Sequence, residues 1–169
     1  WWCGFKSTWS YLKFHRTMNL KKKRIMDSKS LKGLTLTDAI AGCCSVYKTK
    51  SLNISGLEDE RFFFGPDDIE LSYRLKKIGK LLVNLDAVTF HKIAKSTEIS
   101  GWYRRSYNET RGFLLLTKKT GTMSDKIVGY FFHLLRIPYF FLLLIFKKRS
   151  KDRVIGYAKG CLDFFKKDF

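Results

Sequence analysis

The chain is short of acidic residues, of paired cysteines and of any glycine-rich phosphate loop. Its 15 Asp and Glu stand against 33 Lys and Arg, a net charge of +18. So large an excess draws the molecule toward anions and excludes an acidic, self-solvating chain. The four cysteines, Cys3, Cys43, Cys44 and Cys161, show no C-x-x-C spacing, which excludes a zinc-ribbon pattern and a disulfide framework. Cys43 and Cys44, adjacent inside an apolar strand, read as small buried hydrophobes, and the setting is expected to be reducing and cytoplasmic, with no zinc site. Ahead of Ala41 there is no Asp-x-Asp, no phosphate-binding loop and no strand-plus-helix repeat, and no cleavable signal peptide is visible. With 45% apolar and 16% aromatic residues, simple disorder is excluded.

Against these absences, one segment concentrates acids. Asp59-Glu-Arg-Phe-Phe-Phe-Gly-Pro-Asp-Asp-Ile-Glu-Leu-Ser-Tyr-Arg74 sets Asp67 and Asp68 directly after a Gly-Pro turn. Leu71, Leu75 and Ile78 follow at i, i+4 and i+7, so a helix is expected from this turn to Gly79. Acids in a first helical turn serve the positive helix end as capping groups; a catalytic base is the sharper reading. A strand is expected over Lys80 to Phe90, ending at His91, and another over Ile40-Ala-Gly-Cys-Cys-Ser-Val-Tyr47. Residues 1 to 38, with the basic run Lys21-Lys-Lys-Arg24, read as a connecting loop region with a solvated charge run.

Four elements in this order resemble the second half of a family 2 glycosyltransferase with the GT-A fold, in the rhamnosyl and galactofuranosyl transferase-like branch. The 40–47 strand looks like the Gly-containing strand lining the sugar pocket. Ser55-Gly-Leu-Glu-Asp-Glu-Arg-Phe-Phe63 resembles the family's "G-G-F-D-E-x-F-F", and Asp67-Asp-Ile-Glu-Leu-Ser-Tyr-Arg74 its "E-D-x-D-L-x-x-R", with His91 closing the series. The likeness covers about Ala41 to Gly121. It implies an α/β chain: the C-terminal half of a Rossmann-like GT-A domain over 1–121, with the nucleotide-binding half outside it, then membrane-associated helices over 122–169.

By this correspondence Asp68 is the general base of an inverting transfer, taking the proton from an acceptor hydroxyl as its oxygen attacks the anomeric carbon. Asp67 holds the preceding acidic position and orients the acceptor or supports Asp68. Two adjacent carboxylates raise at least one pKa by repulsion, which suits a base near neutral pH. Gly42, Asp59, Glu60 and Arg74 are the expected substrate-binding residues; for Arg74 the plainer role is an i, i+4 ion pair with Glu70. His91 is either a hydrogen-bonded strand-end residue or, as the resemblance implies, a ligand of Mg or Mn shared with an Asp-x-Asp motif outside this chain. The implied partners are a nucleotide-sugar donor and a glycan or lipid-linked acceptor, in cell-envelope polysaccharide biosynthesis. The fragment is expected to be inactive alone.

From about Glu98 to Lys119 an amphipathic helix is expected. The family often carries "Y-x-x-R-N" on this helix; here Thr110-Arg-Gly112 has Gly for Asn, so a role for Arg111 does not carry over. Ile127 to Phe146 is a largely apolar stretch near the roughly 20 residues needed to cross a bilayer. His133, Arg136 and Pro138 interrupt it, and a central Arg costs on the order of 3 kcal/mol on insertion scales. An interfacial or re-entrant helix is therefore expected, with the basic cluster Lys147 to Arg153 against anionic lipid at the cytoplasmic face. A core helix in a soluble domain is the other reading of this stretch, and a short amphipathic helix is expected over 156–165. The alternative function is a noncatalytic basic module on a membrane surface or nucleic acid. The acidic cluster at 58–70, which would repel a phosphate backbone, disfavours nucleic acid.

Overall fold

The structure, a computed structural model, describes residues 33–40, 42, 44–63, 66–90, 95–146 and 150–166. Helices dominate and a small antiparallel sheet accompanies them, so the chain mixes α and β. In chain order the elements are β1 (Leu34–Thr37), α1 (Thr49–Ser55), α2 (Asp67–Lys76), β2 (Leu81–Asn84), α3 (Lys95–Thr120), α4 (Met123–Ile145) and α5 (Lys151–Lys166).

Two compact units divide these elements. One holds 33–57 and Leu71–Phe90, the other Glu58–Glu70 and 95–166, so the first turn of α2 counts with the second unit and the rest with the first.

In the first unit β1 pairs with β2 antiparallel, with Leu34 opposite Asn84 and Thr37 opposite Leu81. The Leu34-Thr-Leu-Thr37 alternation has the period of a strand, and it falls within the region expected to be loop. Asp86 fixes the far end by accepting from the Gly33 N–H at 3.1 Å. Thr37 ends β1: its hydroxyl donates to the Ala39 carbonyl and accepts from the Ala39 N–H, folding the chain back locally. Of the strand expected over 40–47, the described residues 40, 42 and 44–47 form none, and Ala41 and Cys43 lie outside the described residues. Gly42 sits in an exposed turn, 45–48 is irregular, and Cys44, expected to be buried, is exposed. Likewise only 81–84 of the 80–90 stretch pairs, because β1 offers four residues of edge; Val88 and Phe90 lie exposed beyond it. Leu71 and Leu75 pack with Leu81 as the helical spacing requires, while Ile78 is past the end of α2 and exposed.

The second unit is built on α3, α4 and α5. Leu114, Leu115 and Leu116 of α3 pack with Phe140 of α4 and with Val154, Tyr157, Cys161 and Phe164 of α5. The expected helices over 98–119 and 156–165 are present, each longer than expected. Gly101 takes φ 73° and kinks α3, which continues through Thr120. Closest approach is between α5 and α3, because Gly156 and Gly160 stand one turn apart on α5. A Cβ on Gly156 would lie 2.4 Å from the Tyr103 carbonyl oxygen, and one on Gly160 2.7 Å from that of Tyr107. Thr122 opens α4 with a capping box: its hydroxyl accepts from the Asp125 N–H while the Asp125 carboxylate accepts from the Thr122 N–H.

The apolar stretch forms α4 from Met123 to Ile145, long and apolar enough to cross a bilayer core. His133 and Arg136 turn toward the core of the unit. His133 is buried with Nδ1 2.7 Å from the Tyr157 hydroxyl, and the Arg136 guanidinium lies 4.8 Å from the centre of the Phe140 ring and 5.4 Å from that of Tyr157. Ile127, Phe131, Leu134, Leu142 and Ile145 form the opposite stripe and are exposed.

Candidate functional site

Helix α2 begins as its sequence demands. Pro66 precedes it, and the Glu70 N–H donates to the Pro66 carbonyl at 2.9 Å as the first turn closes. Asp67 and Asp68 occupy that turn with half-exposed side chains. There they stand at the end of the helix that carries its partial positive charge.

Glu70, two residues further, is turned the other way. Its side chain is 1% exposed, and Lys119 Nζ lies 2.6 Å from Oε1. Lys119 also holds Asp59 at 2.7 Å, and Arg61 grips Asp59 with two hydrogen bonds, Nε to Oδ1 at 2.8 Å and an Nη to Oδ2 at 2.6 Å. Burial of Glu70 requires such a partner, since an unpaired carboxylate in an apolar surround is strongly disfavoured. The Arg61 hydrogen bonds, aided by Lys119 and opposed by partial burial, hold the Asp59 carboxyl well below the usual carboxylate range. The same pairing raises the Arg61 pKa. Asp59 thus sits in an ion network tying the segment before α2 to the end of α3, while Glu60 beside it is exposed.

Arg74 lies in the first unit. Its fork caps the C-terminal end of α1, donating to the carbonyls of Ser55 at 2.5 Å, Gly56 at 2.9 Å and Leu57 at 2.7 Å. Orphan carbonyls at a helix end draw a cation in this way. Of the expected site residues, Asp59, Glu60, Asp67 and Asp68 share the second unit. Gly42 and Arg74 belong to the first, and His91 lies outside the described residues. Among the described residues no three His, Cys, Asp or Glu side chains group as a metal site. A divalent metal is what the resemblance alone implies.

A second feature of the second unit was not read from the sequence. An open cleft of about 470 Å³ is lined by α3 and α5 together with Phe63. Tyr103 and Tyr107, one turn apart on α3, hold their rings within 13° of parallel with centroids 6.3 Å apart. The Tyr107 hydroxyl donates to Asp163 Oδ2 at 3.1 Å, and Lys159 meets Oδ1 at 3.0 Å. Burial first, and then the Asp163 carboxylate, push the Tyr107 pKa up, while the hydrogen bond to Asp163 raises that of Lys159. Asn108 is buried at the cleft wall, and Arg104 lies over the Phe63 ring at 5.1 Å. The i, i+4 spacings Tyr103/Tyr107 and Lys159/Asp163 were visible signals, but nothing local says that the two helices bring them together.

No family model, no curated protein and no solved structure matches this chain.

Proposed function

We propose that the chain is the acceptor-side part of an inverting, nucleotide-sugar-dependent glycosyltransferase of the GT-A type, working at the cytoplasmic face of a membrane. The observation that carries this reading is the start of α2. Asp67 and Asp68 stand next to each other in its first turn, both partly exposed, ahead of the apolar positions that bury the rest of the helix. Asp68 accepts the proton of the acceptor hydroxyl, that oxygen bonds to the anomeric carbon from one face, and the nucleoside diphosphate leaves from the other. Asp67 orients the hydroxyl. The order of elements supports the same reading, since the acid pair opens a helix that is followed by a strand and then a long helix.

Asp68→Asn tests it. In the full-length polypeptide carrying this chain, transfer falls by the roughly 10²–10⁴-fold that a general base contributes, while donor binding, read by calorimetry, is unchanged. Turnover retained by the variant would overturn the assignment.

The second reading, a noncatalytic basic module docked on a membrane surface, is favoured by the outward apolar stripe of α4. It shares the location and differs only in lacking turnover.

A further inference from the structure

The cleft between α3 and α5 has walls of three chemical kinds. Phe63, Tyr103 and Tyr107 give it aromatic surface; Tyr103 is 42% exposed, so its ring is open to a ligand. Asn108, 8% exposed, supplies an amide that both donates and accepts, and among the described residues no hydrogen bond engages it. Asp163, equally buried, supplies a carboxylate oriented by the Tyr107 hydroxyl. At about 470 Å³ the cleft falls within the roughly 300–1,000 Å³ of small-molecule sites.

We propose that this cleft binds a ring of a neutral saccharide. Sugar rings present a face of C–H groups, which suits the electron-rich face of an aromatic ring. They are rimmed by hydroxyls, each a donor and an acceptor, which suit an amide beside a carboxylate. A phosphate is disfavoured at the same place: the Asp163 carboxylate repels it, and of the two cations lining the cleft Lys159 is already bridged to Asp163 and Arg104 lies over the Phe63 ring. Lys159 is about half exposed and yields to a ligand hydroxyl without loss of core packing. The proposal deepens the transferase reading, on which it rests for a saccharide as substrate class, and gives that saccharide a place outside the acid pair of α2.

The test is saturation-transfer NMR on the full chain, held in a detergent whose headgroup contains neither sugar nor phosphate. The probes are the methyl glycosides of galactose, glucose and rhamnose, with inorganic phosphate as the contrast. At least one glycoside should receive saturation at its ring C–H protons, and Tyr103→Ala should weaken that transfer at least tenfold. Tyr103 is exposed enough that its loss spares the core, and an unchanged circular dichroism spectrum verifies this; Asn108→Ala gives an independent reduction. Absence of transfer to every glycoside, or transfer indifferent to both variants, overturns the proposal. So does a response to phosphate alone, which would make this an anion site. Binding retained in Asp68→Asn separates the two ideas: a cleft that binds sugar in a protein whose turnover ignores Asp68 removes the base and keeps the cleft. Loss of turnover in Asp68→Asn without sugar in the cleft does the reverse.

Discussion

Asp59 shows how far a residue's role depends on partners the sequence does not name. Its neighbour Arg61 was in view, but Lys119 comes from the far end of α3, and together they take a carboxylate that resembles a substrate contact into an ion network. That network makes a pH prediction. The folded state holds Asp59 below its ordinary value of 3.8, so in acid the unfolded chain binds this proton more readily than the folded one. The stabilisation is therefore complete above about pH 4 and lost as pH falls further. Asp59→Asn should lower the melting temperature at neutral pH and show a shallower decline between about pH 4 and 2 than the wild-type chain. Parallel declines would show that Asp59 is not paired in solution. Cysteine shows the same dependence on distant packing: Cys161 is buried and its thiol is pushed up to about 12, whereas Cys44, read from its apolar neighbours as buried, is exposed.

At the scale of elements, local periodicity was legible and pairing was not. Leu71 and Leu75 announce α2, and the long runs before and after Gly121 announce α3 and α4, because a helix's hydrogen bonds and apolar face are written within one stretch. β2 was legible inside the longer strand expected over 80–90, whereas β1 is too short to declare itself, and its pairing with β2, far along the chain, supplies the hydrogen bonds that make it a strand. The same limit hid the cleft, whose two walls lie on different helices. What holds those helices together is the pair Gly156 and Gly160. Gly160→Ala gains roughly 0.8–1.0 kcal/mol of helix propensity but sets its Cβ 2.7 Å from the Tyr107 carbonyl oxygen, backbone that cannot rotate aside. Overpacking of about 1–3 kcal/mol then wins, and the midpoint of urea unfolding should fall, whereas Leu162→Ala at an exposed site of the same helix stays near wild type. A Gly160→Ala chain as stable as the parent would mean that α5 does not contact the backbone of α3.

For the whole molecule the decisive quantities are the net charge of +18 and the apolar face of α4. In the sequence, His133 and Arg136 weighed against deep membrane contact, because a charge facing lipid is costly. The fold weakens that objection: Arg136 lies among Phe132, Phe140 and Tyr157, His133 bonds Tyr157, and the stripe from Ile127 through Phe131 and Leu142 to Ile145 is uninterrupted by charge. Cation–π contacts of this kind are worth about 2 kcal/mol when desolvated, which offsets much of the insertion cost. In the sequence after the helix stands the basic cluster Lys147 to Arg153, and in the proposed docked state each cation near an anionic surface would add about 1 kcal/mol. In the proposed membrane-docked state two terms of different origin would hold the chain to a bilayer, and they separate experimentally. In vesicle flotation the chain should rise with phosphatidylglycerol-containing vesicles, and in about 1 M salt, where the Debye length is about 3 Å, only part should be released. Phe131→Glu with Leu142→Glu places two charges in the apolar stripe and should remove the salt-resistant part while leaving the salt-sensitive part. Full release of the wild-type chain by salt would reduce its attachment to charge alone, and no flotation at low salt would place the apolar stripe against protein rather than lipid.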